Sequence, residues 1–214
     1  MIEHHIDIET NDGTMATFIS HPDADGPYPV VLFLMDAPGK REELHDMARR
    51  ISATGYYVML PNLYYREVRS FTLHREDPAS AEYMFKLMSN LRNDMVARDA
   101  KKMIAYADAD VVADASRIGV TGYCMSGPFA LWLSAEFPDV IKSAASIHGV
   151  RLAVDAEDSP HSRAAEMVGE ILVMAAEYDD YVDRAHYDRL VAALDAAGTN
   201  AHCEWVEGAH HGFV

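Results

Sequence analysis

The segment "RIGVTGYCMSG", residues 117–127, predicts a strand that runs into a tight turn. Its apolar residues indicate a short buried strand that ends near Gly122. The following segment, residues 126–137, is typical of a helix with a proline in its first turn. Cys124 is therefore predicted to lie on a sharp strand-to-helix turn. Such a turn needs small residues two positions before and two positions after its centre, and Gly122 and Ser126 occupy those places.

A cysteine on this turn is a candidate nucleophile. The turn would direct the thiol toward the N-terminus of the helix, where free N–H groups and the helix dipole favour a thiolate. Ser126 fits the role less well, because small residues would then be needed at positions 124 and 128, which are Cys124 and Pro128. The alternative is that Cys124 is simply a small buried apolar residue, as a free cysteine usually is.

Outward from this turn, strand-like and helix-like segments alternate. Strands are predicted around "VVLFLM", "YYVML", "SAASIHG", "EILVMAAE" and "AHCEWVEG", with helical spacing of apolar residues in the stretches between most of them. This order predicts an α/β fold with a mostly parallel central sheet and helices on both faces. The segments around Asn11-Asp12-Gly13 predict an N-terminal β-hairpin in front of it. We expect one domain over residues 1–214.

Composition and charge narrow the class of partner. The chain has 18 Lys and Arg against 34 Asp and Glu, a formal net charge of −16 at pH 7. Such a charge repels nucleic acid and anionic membrane surfaces, so neither is an expected partner. With two cysteines and no secretory signal at its N-terminus, the chain is expected in the reducing cytoplasm.

A thiol nucleophile needs a base, and the base needs a carboxylate to orient it. The segment "ILVMAAEYDDYVD" offers Asp179, Asp180 and Asp183 directly after a predicted strand. The segment "WVEGAHHGF" offers His210 and His211 after the last one. The order nucleophile, acid, histidine is that of α/β-hydrolases, which favours a catalytic triad over a solvated acidic turn and a surface histidine pair.

These motifs make nearly the whole chain resemble the dienelactone hydrolases, which are cysteine-nucleophile members of the α/β-hydrolase fold. The resemblance rests on "GYCMSG", "PNLYYR", "DDYV" and "GAHHGF". It implies the α/β-hydrolase fold, with Cys124 as nucleophile, Asp179 as acid and His211 as base. Asp180 and His210 are the second choices for the last two roles.

The resemblance also implies residues around the nucleophile. The backbone N–H groups of Ala37 and Met125 would form the oxyanion hole. Asp36 stands where the family usually has a glutamate that holds the resting thiol. A carboxylate beside a thiol raises the pKa of the thiol, so the hypothesis is a resting Cys124 that resists oxidation.

Two features bear on the substrate. The chain ends at Val214, where the family continues into a C-terminal helix, so we expect that this helix is missing from the sequence. Arg66 and Arg69 are candidates for binding an anionic substrate group, although a solvated surface explains them equally well. Tyr83 and His148 are candidates for the substrate cleft.

The sequence therefore predicts a hydrolase of a small carboxylic ester or lactone that uses a Cys-His-Asp triad and an acyl-enzyme, with no cofactor or metal. The expected partner is a small-molecule substrate, and no oligomeric state is predicted. Two alternatives stay open on the same fold. One is a non-catalytic binding protein, and the other is a redox-sensing thiol protein.

Overall fold

The computed structural model of the protein describes residues 1–24 and 26–214. The chain forms two compact units, Met1–Ile118 and Gly119–Val214. The boundary between them falls within one strand of the chain. The expectation of a single domain over residues 1–214 stays a prediction.

The described residues of the first unit form four complete strands and three helices. In chain order they are β1 (Ile2–Thr10), β2 (Gly13–His21), β3 (Tyr28–Leu34), α1 (Glu42–Ser52), β4 (Tyr57–Pro61), α2 (Pro78–Ser89) and α3 (Asn93–Asp108). The strand order is β1-β2-β4-β3. β3 and β4 are parallel, whereas β2 pairs antiparallel with both β1 and β4.

The N-terminal hairpin predicted from the sequence is confirmed. β1 and β2 pair antiparallel from Ile2–His21 to Thr10–Gly13. In the turn, the Thr10 hydroxyl donates to the carbonyl of Gly13 at 2.7 Å and accepts the N–H of Asp12 at 3.1 Å. Gly13 has φ +133°, a backbone conformation that residues other than glycine rarely adopt.

The core of the first unit lies around β3 and β4. Every residue of β4 is buried, so both faces of this strand are covered, as its unbroken apolar sequence predicts. Helix α1 packs against β2 and β4, and α3 packs against β1 and β3.

The second unit contains the strands that carry the candidate site. Its elements, with the strand that leads into it, are β5 (Ala113–Tyr123), a 3₁₀ turn (Cys124–Ser126), α4 (Gly127–Glu136), β6 (Ile141–Ile147), a 3₁₀ segment (Pro160–Glu166), β7 (Glu170–Tyr178), α5 (Arg184–Ala197) and β8 (Ala201–His210). The strand order is β5-β6-β7-β8, and β6, β7 and β8 are parallel. Helix α4 packs against β6, and α5 packs against β8.

The predicted fold class, a mostly parallel sheet with helices and an N-terminal hairpin, is confirmed. Several boundaries differ by a few residues from the sequence-based expectation, and two of them lie at the candidate site. The helix expected from Ser126 begins at Gly127, after the 3₁₀ turn, and the last strand extends to His210 instead of ending at 208. Within the described chain, no helix combines the length and the apolar character that crossing a bilayer requires.

A buried ion pair anchors the segment that follows β4. The Arg66 guanidinium donates to both carboxylate oxygens of Asp99 in α3, at 2.9 and 2.8 Å, and to Asp12 in the hairpin turn at 2.8 Å. The Tyr65 hydroxyl donates to Asp99 at 2.8 Å. The Asp99 side chain is only 1% exposed, and burial raises the pKa of its carboxyl while Arg66 and Tyr65 act in the opposite direction.

We expect that replacing Arg66 by methionine destabilises the protein by about 3–5 kcal/mol, because it leaves the Asp99 carboxylate buried without its cation. The measurement is urea unfolding followed by circular dichroism. Arg69→Met is the matched control. Arg69 pairs with Asp7 at the surface, where the loss should be under about 1 kcal/mol. Equal losses in the two variants would contradict the role given to the Arg66–Asp99 pair.

Candidate active site

The turn at Cys124 is as sharp as its sequence predicts. β5 ends at Tyr123, and α4 begins at Gly127, four residues further on. Cys124 has φ +52°, in the left-handed region that residues with a side chain avoid. A Cβ at Gly122 would lie 2.1 Å from the carbonyl oxygen of Ser126, so this position accepts only glycine without movement of the backbone.

A second close approach holds the start of α4. A Cβ at Gly127 would lie 2.4 Å from Cα of Gly149 and 2.5 Å from the hydroxyl of Ser146. The helix that carries the nucleophile turn therefore packs directly on the backbone that follows β6. The need for glycine at positions 127 and 149 was not predicted from the sequence. The signal was the glycine at each of the two segment ends, which marks close backbone approach.

The predicted acid and the predicted base lie at the ends of two neighbouring strands. Asp179 directly follows β7, and His211 directly follows β8. The His211 N–H donates to the carbonyl of Tyr178 at 3.1 Å, which fixes the end of one strand on the end of the other. The register of β7 and β8 shifts between Ala176 and Tyr178, next to this contact.

Cys124, His211 and Asp179 meet in one chain of contacts. Nε2 of His211 lies 3.1 Å from Sγ of Cys124, and Nδ1 lies 2.7 Å from Oδ2 of Asp179. The other Asp179 oxygen accepts the N–H of Tyr181 at 2.9 Å. The Asp179 side chain is 1% exposed and that of His211 is 21% exposed. An imidazole that donates its Nδ1 proton to a carboxylate leaves Nε2 able to accept a thiol proton.

The neighbouring candidates for acid and base are placed differently. The ring of His210 stacks on Tyr178 with centroids 4.9 Å apart, and His210 is exposed. Asp183 is the N-cap of α5 and accepts the N–H of His186 at 2.8 Å. The carboxylate bonded to His211 is that of Asp179.

Aromatic rings surround the His211 imidazole. His148 meets it edge to face with centroids 4.8 Å apart, and Tyr181 does so at 5.0 Å. Phe213 lies 5.7 Å from the His148 ring. Of these three rings, only His148 was predicted from the sequence to lie near the site, and Tyr181 and Phe213 were not. Tyr181 follows Asp179 by two residues and Phe213 follows His211 by two, and this spacing was the signal that they lie near the site.

The predicted oxyanion and resting-thiol residues lie in different units. Met125 follows the nucleophile within the 3₁₀ turn and is buried. Ala37 and Asp36 follow β3 in the first unit, and Ala37 is buried. Both oxygens of Asp36 accept from Arg41, at 2.5 and 2.9 Å. The roles given to Ala37, Met125 and Asp36 stay predictions.

Of the predicted substrate residues, His148 lies beside His211, as described above. Arg66 and Arg69 both pair with carboxylates of the first unit. Tyr83 lies in α2 and is 36% exposed, and its ring centroid lies 6.0 Å from that of Phe71. Substrate binding by these residues stays a prediction, and the ion pairs give both arginines a structural partner.

Among residues 1–24 and 26–214, no group of three or more His, Cys, Asp or Glu side chains has the geometry to hold a metal ion. What the arrangement does offer is a thiol, an imidazole and a buried carboxylate in hydrogen-bond sequence. These are the groups of nucleophilic catalysis.

Comparison with known proteins identifies the family of this chain. The sequence model of the Dienelactone hydrolase family matches residues 15–214. A "Putative carboxymethylenebutenolidase" of Methylorubrum extorquens is 28% identical over 96% of this chain and 69% of its own length. A "Carboxymethylenebutenolidase" of Rhodococcus opacus is 24% identical over 98% and 81% of the two chains.

A solved structure agrees with this result. The crystal structure of a "Putative Dienelactone Hydrolase" from Klebsiella pneumoniae superimposes with a TM-score of 0.86 at 25% identity. The superposition covers 99% of this chain and 88% of that one. The similarity extends over the whole described chain and agrees with the α/β-hydrolase fold expected from the sequence.

The left-handed turn gives a test of stored strain. We expect Cys124→Gly to be more stable than Cys124→Ala by about 1 kcal/mol, because a left-handed conformation costs a residue with a Cβ about 1–2 kcal/mol. The free energy of unfolding in urea measures the difference.

The second cysteine supplies the control for this test. Cys203 lies within β8, where glycine should be less stable than alanine by about 0.5–1 kcal/mol. The same order of stability at both positions would contradict strain at Cys124.

Proposed function

Because the chain belongs to the dienelactone hydrolase family, we propose that it hydrolyses a small carboxylic ester or lactone through an acyl-enzyme on Cys124. The observation that carries the proposal is the pair of contacts on His211, 3.1 Å to the Cys124 sulfur and 2.7 Å to Asp179. Neither contact alone would suffice, since a base without an orienting carboxylate takes either tautomer.

In the first half of the reaction, Nε2 of His211 takes the thiol proton. The Cys124 sulfur then bonds to the carbonyl carbon, and the carbonyl π electrons move to oxygen. The N–H groups of Met125 and Ala37 are proposed to hold this oxyanion, since the residue after the nucleophile supplies one donor in α/β-hydrolases. When the oxyanion collapses, the C–O bond breaks and the departing alkoxide takes the proton from His211.

In the second half, water replaces the alcohol. His211 takes a proton from water, and the resulting hydroxide attacks the thioester carbon. The C–S bond then breaks, the carboxylic acid leaves, and the Cys124 sulfur recovers its proton from His211. For a lactone, the alcohol and acid groups belong to one product molecule. Asp179 keeps the Nδ1 proton in place and stabilises the imidazolium in both halves.

The proposed substrate is a small-molecule ester or lactone, and the cytoplasm is the proposed location. Asp36 as the resting partner of Cys124 also stays within the proposal. Its test is thiol titration of Asp36→Ala, in which an unchanged pKa of Cys124 would remove that role.

The alternative of a redox-sensing thiol needs a second reactive sulfur or a stable oxidised state. Cys203, the chain's other cysteine, is half-buried in β8, and burial raises the pKa of its thiol. A thiol held in its protonated form is a poor resolving nucleophile. This favours hydrolysis over thiol sensing.

We expect Cys124→Ala to lower kcat/KM for 4-nitrophenyl acetate and dihydrocoumarin by about 10³-fold or more, because the nucleophile is gone. Cys203→Ala is the matched control and should keep wild-type activity. Intact-protein mass spectrometry of the wild type should detect an acetyl adduct that Cys124→Ala lacks.

Two outcomes would contradict the proposal. Equal turnover by the wild type and Cys124→Ala would remove Cys124 as nucleophile. No turnover together with peroxide-dependent sulfenylation at Cys124 would favour the redox sensor.

Replacement of the acid tests the second contact. We expect Asp179→Asn to lower kcat by about 10³- to 10⁴-fold, because the amide favours the wrong tautomer of His211. Steady-state kinetics and a thermal melt are the measurements. A variant that melts like the wild type and retains full kcat would rule out Asp179 as the orienting acid.

A further inference from the structure

A short loop after β6 touches both the nucleophile and the base. The loop comprises residues 148–153, and we call it the β6 loop. The N–H of Val150 donates to the carbonyl of Cys124 at 3.1 Å, and the ring of His148 meets the ring of His211 at 4.8 Å. The position of this loop therefore affects the backbone of the thiol and the side chain of its base.

The β6 loop is under backbone strain. His148 has φ +40° and Arg151 has φ +56°, and neither is glycine. Residues with a Cβ hold such conformations only where surrounding contacts enforce them. The first of these contacts is the N–H of His148, which donates to the carbonyl of Met174 in β7 at 2.8 Å.

The far end of the loop is held by one imidazole. Nε2 of His186, in the first turn of α5, accepts the N–H of Leu152 at 3.0 Å and the N–H of Ala153 at 3.1 Å. A ring nitrogen that accepts two N–H groups carries no proton of its own. His186 is therefore neutral in this arrangement, with its single ring proton on Nδ1.

His186 also connects the loop to the acid. The backbone N–H of His186 donates to the N-cap carboxylate of Asp183 at 2.8 Å, and Asp183 ends the turn that begins with Asp179. His186 thus connects two segments: its backbone N–H contacts the turn that carries Asp179, and its ring contacts the β6 loop.

We propose that His186 is a positioning residue for the hydrolysis proposed above. Its neutral ring holds the β6 loop against the Cys124 turn and the His211 ring. Loss of the Nε2 acceptor, by substitution or by protonation, releases the loop and loosens the contact between thiol and base. The expected effect on hydrolysis rests on the proposed function. The two hydrogen bonds from the β6 loop to His186 do not depend on it.

The charges around His186 set the direction of its pH response. Burial lowers its pKa below the ordinary histidine value. His161 of the 3₁₀ segment and Arg189 of α5 lower it further, whereas Asp183 and Asp179 act in the opposite direction. The stabilisation from the neutral ring is fully present above the ordinary pKa of about 6.5 and is lost as the pH falls through the lowered folded-state value.

Two substitutions separate the acceptor from the bulk of the ring. His186→Phe keeps a planar ring without an acceptor, and His186→Gln keeps an acceptor oxygen that does not titrate. With 4-nitrophenyl acetate at about pH 8, we expect His186→Phe to lose up to about 10²-fold in kcat with little change in KM, because displacement of the thiol or base by about 1 Å is enough. His186→Gln should stay within about threefold of the wild type.

The pH profile separates positioning from a purely structural role. The informative quantity is the ratio of His186→Gln to wild-type kcat/KM, because the rest of the site is the same in both proteins. This ratio should rise as the pH falls below the ordinary histidine pKa of about 6.5 and through the lowered pKa of His186, since glutamine still accepts the loop N–H groups where a protonated histidine cannot. A flat ratio would overturn the proposal, and this comparison holds even if His186→Phe fails to fold. His202→Phe, at an exposed histidine of β8, is the matched control and should behave as the wild type.

A readout without ester keeps this proposal distinct from the proposed function. In a Cys203→Ala background, iodoacetamide alkylates Cys124 at a rate that depends on its contact with His211. This rate should fall about tenfold in His186→Phe and stay unchanged in His186→Gln. Unchanged alkylation in His186→Phe would overturn the positioning role. Absence of wild-type ester turnover with the expected alkylation pattern would instead remove the proposed function.

Discussion

The candidate site depends on one backbone constraint, the left-handed conformation of Cys124 between a strand and a helix. That conformation brings the carbonyl of Ser126 so close to Gly122 that no Cβ fits between them. The thiol then stands at the end of β5, away from the residues that precede and follow it. A relaxed turn would spread the same residues along the surface, and the sulfur would lose its defined direction.

The contacts around the turn enforce this strained geometry. Gly127 packs on Gly149, and the carbonyl of Cys124 accepts the N–H of Val150. Three residues with a Cβ have positive φ in the described chain, and all three lie in the turn or in the β6 loop beside it. Strain concentrated beside a reactive group is typical of functional sites, where surrounding structure fixes a conformation that the local sequence disfavours.

The electrostatics of the site are local, although the chain as a whole is strongly acidic. The Asp179 carboxylate is buried, yet it accepts hydrogen bonds from a backbone N–H and from the His211 ring, so its charge has partners. The net charge of −16 is distributed over many surface carboxylates, and several of them pair with nearby arginines. Arg66 illustrates the difficulty of predicting such pairs. Its partners Asp12 and Asp99 are distant in sequence and become neighbours only in the folded first unit.

The order of strands and helices could be predicted from local sequence patterns. The same patterns predicted the turn at Cys124 and the positions of an acidic turn and a histidine pair after later strands. Apolar periodicity and small residues at a bend are local properties, which a sequence displays directly. These local patterns left open which histidine contacts the thiol and which carboxylate contacts that histidine, because adjacent residues at the end of a strand point in different directions. The resemblance to the dienelactone hydrolases implied His211 and Asp179.

The contacts of the two histidines depend on long-range packing in the folded chain. There, His211 contacts both Cys124 and Asp179, whereas His210 stacks on Tyr178. The register shift between β7 and β8 accompanies that choice. The structure alone also placed His186 under the β6 loop. Its two backbone donors lie more than thirty residues away in the chain, and a hydrogen bond at that separation leaves no local pattern in the sequence.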